Sequence, residues 1–494
     1  MKPFVCAFLL LVPAYAATAQ ELRSFTNAQG VSIKAALISV INGQATIRRE
    51  DGGQFTVPVT AFSQADQDYI RQWSPAPTAP ATVSTPLGGT PAVGPNANLD
   101  AATVNALAGQ EVFGDVSLWE SPGESVAGRL KLRRESQTSN QGSYRAYPPA
   151  DYRFFGTRPY SVALYEDEGK TSSISLVFAN KGDLFSASGS GEDHFDKNTP
   201  PAEAEKIVKK AMDADLKLLS DTISAKLGPP RKERFGEGKT GRMNMQRWDW
   251  RDHAILLAEA EGEYVGIQIV PAAFADAGGK STRVPDVVIR ERASKNVETR
   301  PNGDVVIQDI PMVDQGPKGY CVPATAERAM RYLGVAADMY ILANAGETGY
   351  GGGTSVSKLL AGVGRHIKAK GRSFDTWEGK MAVRDIAKHI EKGIPVMWAL
   401  SSTKLFNETA SRRTDERKSV AEWTAWKKKL EAETADNVLM PDSESGHVVL
   451  IIGYNKETGE IAFSDSWGER YKERWITMKE ADLVSQKYFY VVGF

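Results

Sequence analysis

Apolar and polar residues alternate in short runs through the N-terminal part of the chain. Four such runs lie between residues 22 and 59, and turn dipeptides of the Asn-Gly and Asp-Gly type separate them. A period of two, interrupted by turn residues, predicts four β-strands. The polar stretch that ends at Trp73 predicts a helix with Ser63 as its N-cap. Short strands joined by tight turns favour a small barrel over residues 20–73.

The pattern changes twice before the middle of the chain. Residues 74–100 are rich in Pro, Ala, Thr and Gly, which predicts an extended linker. Residues 101–275 mix predicted strands with a long amphipathic helix that stops at Gly228. The apolar stripe of this helix consists of Ile207, Met212, Leu216, Leu219 and Ile223. We therefore expect an α+β domain of unknown role, either a removable inhibitory pro-region or a permanent targeting domain.

The C-terminal part has a helical first half and an apolar second half. Residues 276–305 are polar and predict a connecting arm, and the last domain spans 306–494. A helix is expected to begin at Cys321 and to end at Gly334. The predicted strands read GIPVMWALS, GHVVLIIGYN, EIAFSDSWG and KYFYVVGF. This order indicates an α+β domain with an antiparallel sheet.

A charged stretch lies between two of these predicted strands. Trp423, Trp426 and Leu430 recur at helical spacing within it. The spacing predicts a helix with one apolar edge. A solvated insertion that packs on the core is favoured over a flap above a cleft.

Length and charge narrow the classes of function. The 494 residues suggest roughly three domains. The formal net charge of −1 lacks the basic excess typical of proteins that bind nucleic acid or acidic membranes. No cofactor motif is apparent. The group Asp193, His194 and Asp196 lacks a metal-ligand spacing, so a solvated loop is expected there and no metal is assigned.

The first 19 residues are typical of a secretory signal peptide. Lys2 precedes an apolar run, and small residues follow it. The run is far shorter than the ~20 residues that span a bilayer, and no later segment predicts a membrane span. We therefore expect an exported protein, periplasmic or secreted. Loss of the leader removes Cys6 and leaves Cys321 as the sole cysteine.

Cys321 is a candidate nucleophile. A cysteine at a helix N-terminus is favoured as thiolate by the helix macrodipole, and the thiolate is the reactive form. Among the histidines, His447 starts an almost wholly apolar strand, where a titratable ring is out of place without a task. The remaining histidines, which lie in helix-like stretches or in the middle domain, are His194, His253, His366 and His389. His447 is thus the predicted base.

Two further residues complete a candidate site. If a hairpin pairs Tyr454 with Glu460, Val449 faces Asp465, and Asp465 becomes a diagonal neighbour of His447. A carboxylate there can orient and stabilise the imidazole. Gln315, six positions before Cys321, can donate a hydrogen bond to an oxyanion together with the backbone N–H of Cys321. Pro317 and Gly319 are expected to keep the intervening turn tight.

Together these residues carry a family resemblance. The stretches VDQGPKGYCVPAT, GHVVLIIGY and FSDSWGERY resemble the glutamine, cysteine, histidine and Asn/Asp-Ser-Trp-Gly motifs of papain-like cysteine peptidases, closest to the bacterial branch like the bacteriocin-processing peptidases. The resemblance covers 306–494. It implies a papain-like fold, with Gln315 as oxyanion donor, Cys321 as nucleophile, His447 as general base and acid, and Asp465 as the orienting residue.

The same resemblance assigns two neighbouring residues and shows two departures. Trp467 is expected to shield the histidine and carboxylate from water, and Gly446 is grouped with it as a substrate-binding or shielding residue. Asp465 stands where papain has asparagine, although the bacteriocin-processing branch uses aspartate. Gly319 stands where papain has a disulfide-forming cysteine.

Residues 20–73 carry a second resemblance. The stretches RSFTNAQG and DGGQFTVPVTAFSQADQDYIRQW are similar to the Sla-type homology domain, an SH3-like barrel. Such modules bind peptides or act as spacers, so a peptide or cell-envelope ligand is one expectation and a passive spacer is the other.

The expected function is hydrolysis of peptide bonds in a peptide or protein substrate by an exported papain-like cysteine endopeptidase without a cofactor. Two alternatives use the same residues. One is an acyl transferase of the transglutaminase-like, crosslinking type. The other is a catalytically degenerate module that binds peptides.

Overall fold

The computed structural model describes most of the chain in two compact units, Met1–Ala92 and Val93–Phe494. The predicted leader and the group Asp193, His194 and Asp196 lie outside the described residues. The described residues are 22–27, 30–41, 44–49, 54–72, 96, 99–185, 199–238, 241–260, 262–348, 353–436, 439–442 and 446–494.

The first unit is a four-stranded antiparallel sheet with one α-helix. Its elements are β1 (Arg23–Thr26), β2 (Ser32–Ile41), β3 (Gln44–Arg49), β4 (Gln54–Pro58) and α1 (Gln64–Gln72), with a 3-10 turn at Val59–Ala61. The strands pair in sequence order. Phe25, Ile47 and Ile70 are buried in its core. The four predicted strands and the helix are present. The backbone N–H of Asp66 lies 3.4 Å from the Ser63 hydroxyl, which agrees with the predicted start of the helix at Ser63.

The second unit begins with an eight-stranded antiparallel sheet, which we call the middle sheet. The strand order is β5-β6-β7-β8-β12-β11-β10-β9. The strands are β5 (Arg133–Gln137), β6 (Gln141–Ala146), β7 (Ser161–Asp167), β8 (Lys170–Asn180), β9 (Arg231–Phe235), β10 (Met243–Trp250), β11 (His253–Ala260) and β12 (Tyr264–Pro271). The helices around it are α2 (Ala101–Ala108), α3 (Gly123–Arg129), α4 (Lys181–Leu184), α5 (Pro201–Leu227) and α6 (Ala272–Asp276), with a 3-10 turn at Leu118–Glu120.

Helix α5 is present, as its apolar periodicity predicted, and it packs against the middle sheet. Met212, Leu219 and Ile223 have no exposed surface. The helix ends at Gly228, whose φ of +76° is a left-handed value that favours glycine.

The rest of the second unit is built on another antiparallel sheet, which we call the site sheet. Its strand order is β13-β14-β17-β16-β20-β15, and β18 pairs with both β17 and β19. The strands are β13 (Val297–Thr299), β14 (Asp304–Ile307), β15 (Ser373–Glu378), β16 (Val396–Ser401), β17 (Gly446–Asn455), β18 (Glu460–Ser464), β19 (Arg474–Thr477) and β20 (Ser485–Gly493). All four strands predicted for the C-terminal part are present, but the third ends at Ser464, before Asp465.

Eight helices accompany the site sheet among the described residues. They are α7 (Asp286–Lys295), α8 (Cys321–Tyr332), α9 (Met339–Ala345), α10 (Val356–Ala369), α11 (Val383–Ile390), α12 (Lys404–Arg417), α13 (Trp423–Asp436) and α14 (Met478–Val484), with a 3-10 turn at Glu469–Tyr471. In α13, Trp426 and Leu430 are buried, as the helical spacing predicted. In the part of the chain described, no helix has the length and apolar character needed to cross a membrane.

The β17–β18 hairpin corrects the predicted register at its loop end. Asn455, and not Tyr454, pairs with Glu460. The register then shifts between Ile451 and Gly453, so that Leu450 pairs with Ser464. The bulge adds one residue to β17, and the pairing beyond it follows the predicted register. Alternation alone could not reveal the bulge, because β17 is buried on both faces and reads as a continuous apolar run.

The stretch 276–305, predicted as a connecting arm, contains α7 and β13. Ile289 and Ala293 of α7 are buried in the core around the site sheet. Only these two positions, four apart, are buried in the helix, and five of its other eight residues are charged. The charged majority explains why the sequence favoured an exposed arm.

Helix α8 is buried along its whole length, including its polar residues. One side joins the core of the site sheet through residues such as Val322 and Met330. Tyr320 and Ala324 join a second core cluster that includes Val177 and Tyr264 of the middle sheet. The helix carrying Cys321 therefore packs against both sheets.

Candidate active site

Cys321 is the first residue of α8 and has 8% of its surface exposed. Burial alone raises the pKa of its thiol, but a hydrogen bond with His447 and the charge of that ring oppose this. The backbone N–H groups of Val448 and Val322 also lower the pKa of the thiol. The pKa of Cys321 therefore lies below its ordinary value, which favours the thiolate.

His447 and Asp465 meet at the end of the β17–β18 pair. Nε2 of His447 lies 3.0 Å from Oδ1 of Asp465, which leaves Nδ1 of the ring for Cys321. Burial lowers the pKa of His447, but the hydrogen bonds with Asp465 and Cys321 outweigh it and raise the pKa to about 9. The imidazolium and the thiolate thus stabilise each other.

A residue that the sequence did not single out holds Asp465. Its other oxygen, Oδ2, accepts a hydrogen bond of 2.7 Å from the guanidinium of Arg474. Arg474 also donates to the side-chain and backbone oxygens of Asn407 in α12, at 3.0 and 2.8 Å. Burial raises the pKa of Asp465, but His447 and Arg474 more than reverse this, so the carboxylate stays charged. Helix α12, from the charged stretch, thereby supports the site.

Gln315 lies in the loop before α8 and is also buried. Its backbone N–H donates to the carbonyl of Ser466 at 2.9 Å, which ties this loop to the segment after Asp465. Its side-chain Nε2 donates to the carbonyl of Lys318 at 3.0 Å. An amide nitrogen carries two hydrogens, so one is left over from the bond to Lys318. Oε1 of Gln315 has no hydrogen-bond partner among the described residues.

This geometry can support nucleophilic attack by a thiolate, proton transfer by an imidazole, and stabilisation of an oxyanion. Residues 307–490 match the model of the Peptidase_C39 like family. The match covers less than half of the chain and includes all four residues of the candidate site. It supports a cysteine peptidase domain of the papain-like class in this segment. A search of the curated proteins found no match to the chain.

Trp467 and Gly446, which the sequence placed beside the candidate site, differ in their contacts. The ring of Trp467 stacks on that of His447, with centroids 4.7 Å apart and planes 23° apart, so it covers one face of the imidazole. Gly446 pairs with Ser401 at the start of β17 and is exposed. A Cβ on Gly446 would meet only Nε2 of Gln486, at 3.6 Å. Its backbone therefore does not require glycine.

The turn before Cys321 is tightened by a different glycine from the predicted one. Gly316 has a φ of +66°, and a Cβ there would lie 2.5 Å from the ring of Tyr147. Gly319, by contrast, has no left-handed φ. The close approach of Tyr147, which is 169 positions away from Gly316 in chain order, could not be read from local sequence.

Two polar residues of α8, Thr325 and Arg328, connect the segments that carry the site residues. Neither was identified from the sequence. The hydroxyl of Thr325 donates to the carbonyl of Val448 at 2.9 Å. Arg328 is 1% exposed and donates to the carbonyl of Pro311 at 3.0 Å and to Ser464. Both share the face of Cys321, since they follow it by four and seven positions. That i, i+4, i+7 spacing is the signal that could have identified them.

The other histidines of the described chain have partners of their own. His253 in β11 packs among aromatic rings such as Trp250. His366 in α10 lies 3.8 Å from Glu237, and His389 in α11 stacks on Trp377. The structure brings His447, and none of these three, into contact with Cys321.

Proposed function

We propose that the protein is an exported cysteine peptidase that hydrolyses peptide bonds through Cys321, His447 and Asp465, with Gln315 as oxyanion donor. The observation that carries this proposal is the buried array in which Cys321 contacts His447 and His447 lies 3.0 Å from Asp465. The family match of residues 307–490 adds independent support.

The reaction follows from these groups. The thiolate of Cys321 attacks the substrate carbonyl carbon, forming a C–S bond and an oxyanion that Nε2 of Gln315 and the backbone N–H of Cys321 stabilise. His447 gives its proton to the leaving nitrogen as the C–N bond breaks. His447 then takes a proton from water, which attacks the thioester carbonyl, and the C–S bond breaks as Cys321 departs. Asp465 and Arg474 keep the imidazole oriented.

The test is product analysis on a mixed peptide library in ¹⁸O-labelled water, with the native chain and Cys321→Ala. We expect new carboxyl groups that carry ¹⁸O with the native chain and none with the variant. Addition of glycine ethyl ester separates hydrolysis from acyl transfer. If amide products dominate over ¹⁸O-labelled acids, the transferase alternative replaces this proposal.

A third outcome would favour the binding-module alternative. If the native chain forms neither product while peptides still bind to it, and Cys321→Ala binds them equally well, the residues are retained without catalysis. Cys321→Ser serves as a near-isosteric control for the loss of the thiol.

Export and the role of the first unit are parts of the same proposal. Support for export comes from the leader pattern in residues 1–19. N-terminal sequencing of the protein from cell fractions tests it, since a cytoplasmic chain that keeps residues 1–19 would contradict export. For residues 20–73 we propose an SH3-like module, in keeping with the small sheet and helix. Deletion of this module should spare peptide hydrolysis and, if the module binds a cell-envelope ligand, should abolish retention on envelope fractions.

A further inference from the structure

The loop that carries Gln315 depends on side chains of the middle sheet. Asp183, in α4 beside that sheet, forms an ion pair with Lys318, with Nζ and Oδ1 3.1 Å apart. The side chain of Lys318 is 0% exposed and that of Asp183 is 5% exposed, so the pair is withdrawn from water. Its partners come from parts of the chain separated by more than a hundred residues in sequence.

Lys318 connects this ion pair to the oxyanion donor. Its ammonium is held by Asp183 and lies 4.2 Å from the centre of the Tyr147 ring. Its carbonyl accepts the hydrogen bond from the Gln315 amide at 3.0 Å. Asp183 is itself fixed, because its other oxygen accepts a hydrogen bond of 2.9 Å from Asn180. The chain of contacts therefore runs from Asp183 through Lys318 to Gln315.

Neighbouring contacts hold the same loop on either side of Lys318. The backbone N–H of Asp314 donates to Glu135 at 2.8 Å, and the Tyr147 hydroxyl donates to the carbonyl of Asp314. The hydroxyl of Tyr320, next to Cys321, donates to Glu263 at 2.6 Å. Each acceptor or donor on the far side belongs to the middle sheet or its connections.

A buried charge pair of this kind is a poor source of stability, because both charges lose their hydration. Burial lowers the pKa of Lys318, and the carboxylate of Asp183 opposes that effect. Such a pair is better suited to fixing one geometry than to strengthening the fold.

We infer that the Asp183–Lys318 pair is a positioning element of the oxyanion site: it orients the Gln315 amide through the Lys318 carbonyl, and the middle sheet is therefore part of the active enzyme. The inference rests on the proposed function. Asp183 and Lys318 act through Gln315 and touch no reacting atom, so they should affect steps that form an oxyanion and spare those that do not.

Two reactions of the same thiolate separate these steps in the full chain. Attack of Cys321 on 4-nitrophenyl acetate forms a tetrahedral oxyanion, then a thioester, and releases 4-nitrophenolate. Alkylation by iodoacetamide displaces iodide and forms no oxyanion. In Asp183→Asn we expect acylation to slow by about tenfold, since small displacements of a positioned group cost one to two orders of magnitude. Alkylation should stay within about twofold, because the Cys321–His447 pair is untouched.

Three further variants make the result decisive. Gln315→Ala sets the reference, with acylation slowed by about 10²-fold and alkylation unchanged. The double variant Asp183→Leu with Lys318→Met replaces the pair by apolar side chains and keeps the interface packed, so it provides the measurement if Asp183→Asn does not fold. Glu233→Gln, which weakens the largely buried pair with Arg247 elsewhere in the middle sheet, is the matched control and should change neither rate.

The outcomes distinguish the inference from the proposed function. If Gln315→Ala slows acylation while the folded pair variants leave it unchanged, the positioning role is overturned and the proposed function stands. If acylation and alkylation fall in parallel in the pair variants, the pair acts on the nucleophile or on the fold, and the inference is also overturned. If native Cys321 is not acylated at all, the proposed function itself fails.

Discussion

The two halves of the candidate site are held in different ways. His447 lies in β17 and Asp465 directly follows β18, so the pairing of these two strands sets their separation, and we call these two residues the strand-held half. Gln315 lies in the loop before α8 and Cys321 directly follows that loop, which is anchored by side chains of the middle sheet and its connections, such as Glu135, Asp183 and Glu263. We call Gln315 and Cys321 the loop-held half. The positions of His447 and Asp465 thus follow from paired strands, and those of Gln315 and Cys321 from polar contacts between distant parts of the chain.

This difference bears on whether the middle domain is a removable pro-region or a permanent part of the protein. A removable pro-region would take Asp183, Glu135 and Glu263 with it and leave Lys318 and Tyr320 without their partners. Our account therefore favours a permanent role. Intact-mass analysis of the iodoacetamide-labelled active species should find residues 101–275 still attached. An active species that lacks them would contradict the account.

The largest effect is expected from the loss of His447 in the strand-held half. His447→Ala should reduce peptide hydrolysis by about 10³-fold or more, because the base, the acid and the partner of the thiolate are lost together. Steady-state hydrolysis of a peptide substrate measures this. His389→Gln, in which a half-buried histidine of α11 is replaced, is the control and should retain activity. Near-native turnover in His447→Ala would remove His447 from the mechanism.

Replacement of Gly316 should displace the loop that carries Gln315. Gly316→Ala should lower kcat by about 10²-fold, because the left-handed φ of +66° disfavours a side chain and the Cβ would lie 2.5 Å from the Tyr147 ring. Unchanged kcat in a folded Gly316→Ala would show that the loop tolerates displacement.

Arg474 offers a weaker perturbation of the strand-held half. Arg474→Gln should lower kcat by about tenfold and the free energy of unfolding by about 3 kcal/mol, because Asp465 loses a buried charged partner. Arg474→Lys should restore part of both. Arg300→Gln, which removes a partly exposed pair with Glu473, controls for general effects of charge loss. The measurements are kcat and urea unfolding, and a loss of stability without a loss of kcat would limit Arg474 to a structural role.

The smallest effect is expected at Gly446. Gly446→Ala should change hydrolysis by less than about twofold, since ordinary van der Waals contact with Gln486 is all that the new Cβ meets. Comparison of kcat and KM with those of the native chain checks this. A large rise in KM would restore Gly446 as a substrate-binding residue.

The strand-held half could largely be predicted from the sequence. A titratable His447 in an apolar strand and an acidic residue near the end of the next apolar run are local signals. The errors were a bulge that two-sided burial concealed and a predicted strand that continued past Ser464. The anchors of the loop could not be predicted. Asp183 and Lys318 are 135 positions apart, and nothing in either local pattern pairs them. Arg474 was likewise hidden, because its partner Asn407 lies in a stretch that reads as exposed.

The central claim is that Cys321 is a thiolate paired with His447, and the pH dependence of its alkylation by iodoacetamide tests this most directly. Only the thiolate reacts with iodoacetamide, and the pKa of Cys321 lies below its ordinary value. The alkylation rate should therefore stay high as the pH falls and should drop only below that native pKa. In His447→Ala, burial remains without its counterweight, and the midpoint should move to higher pH. A native rate that rises only near the ordinary thiol pKa of ~8.5, or an identical profile in the variant, would contradict the account.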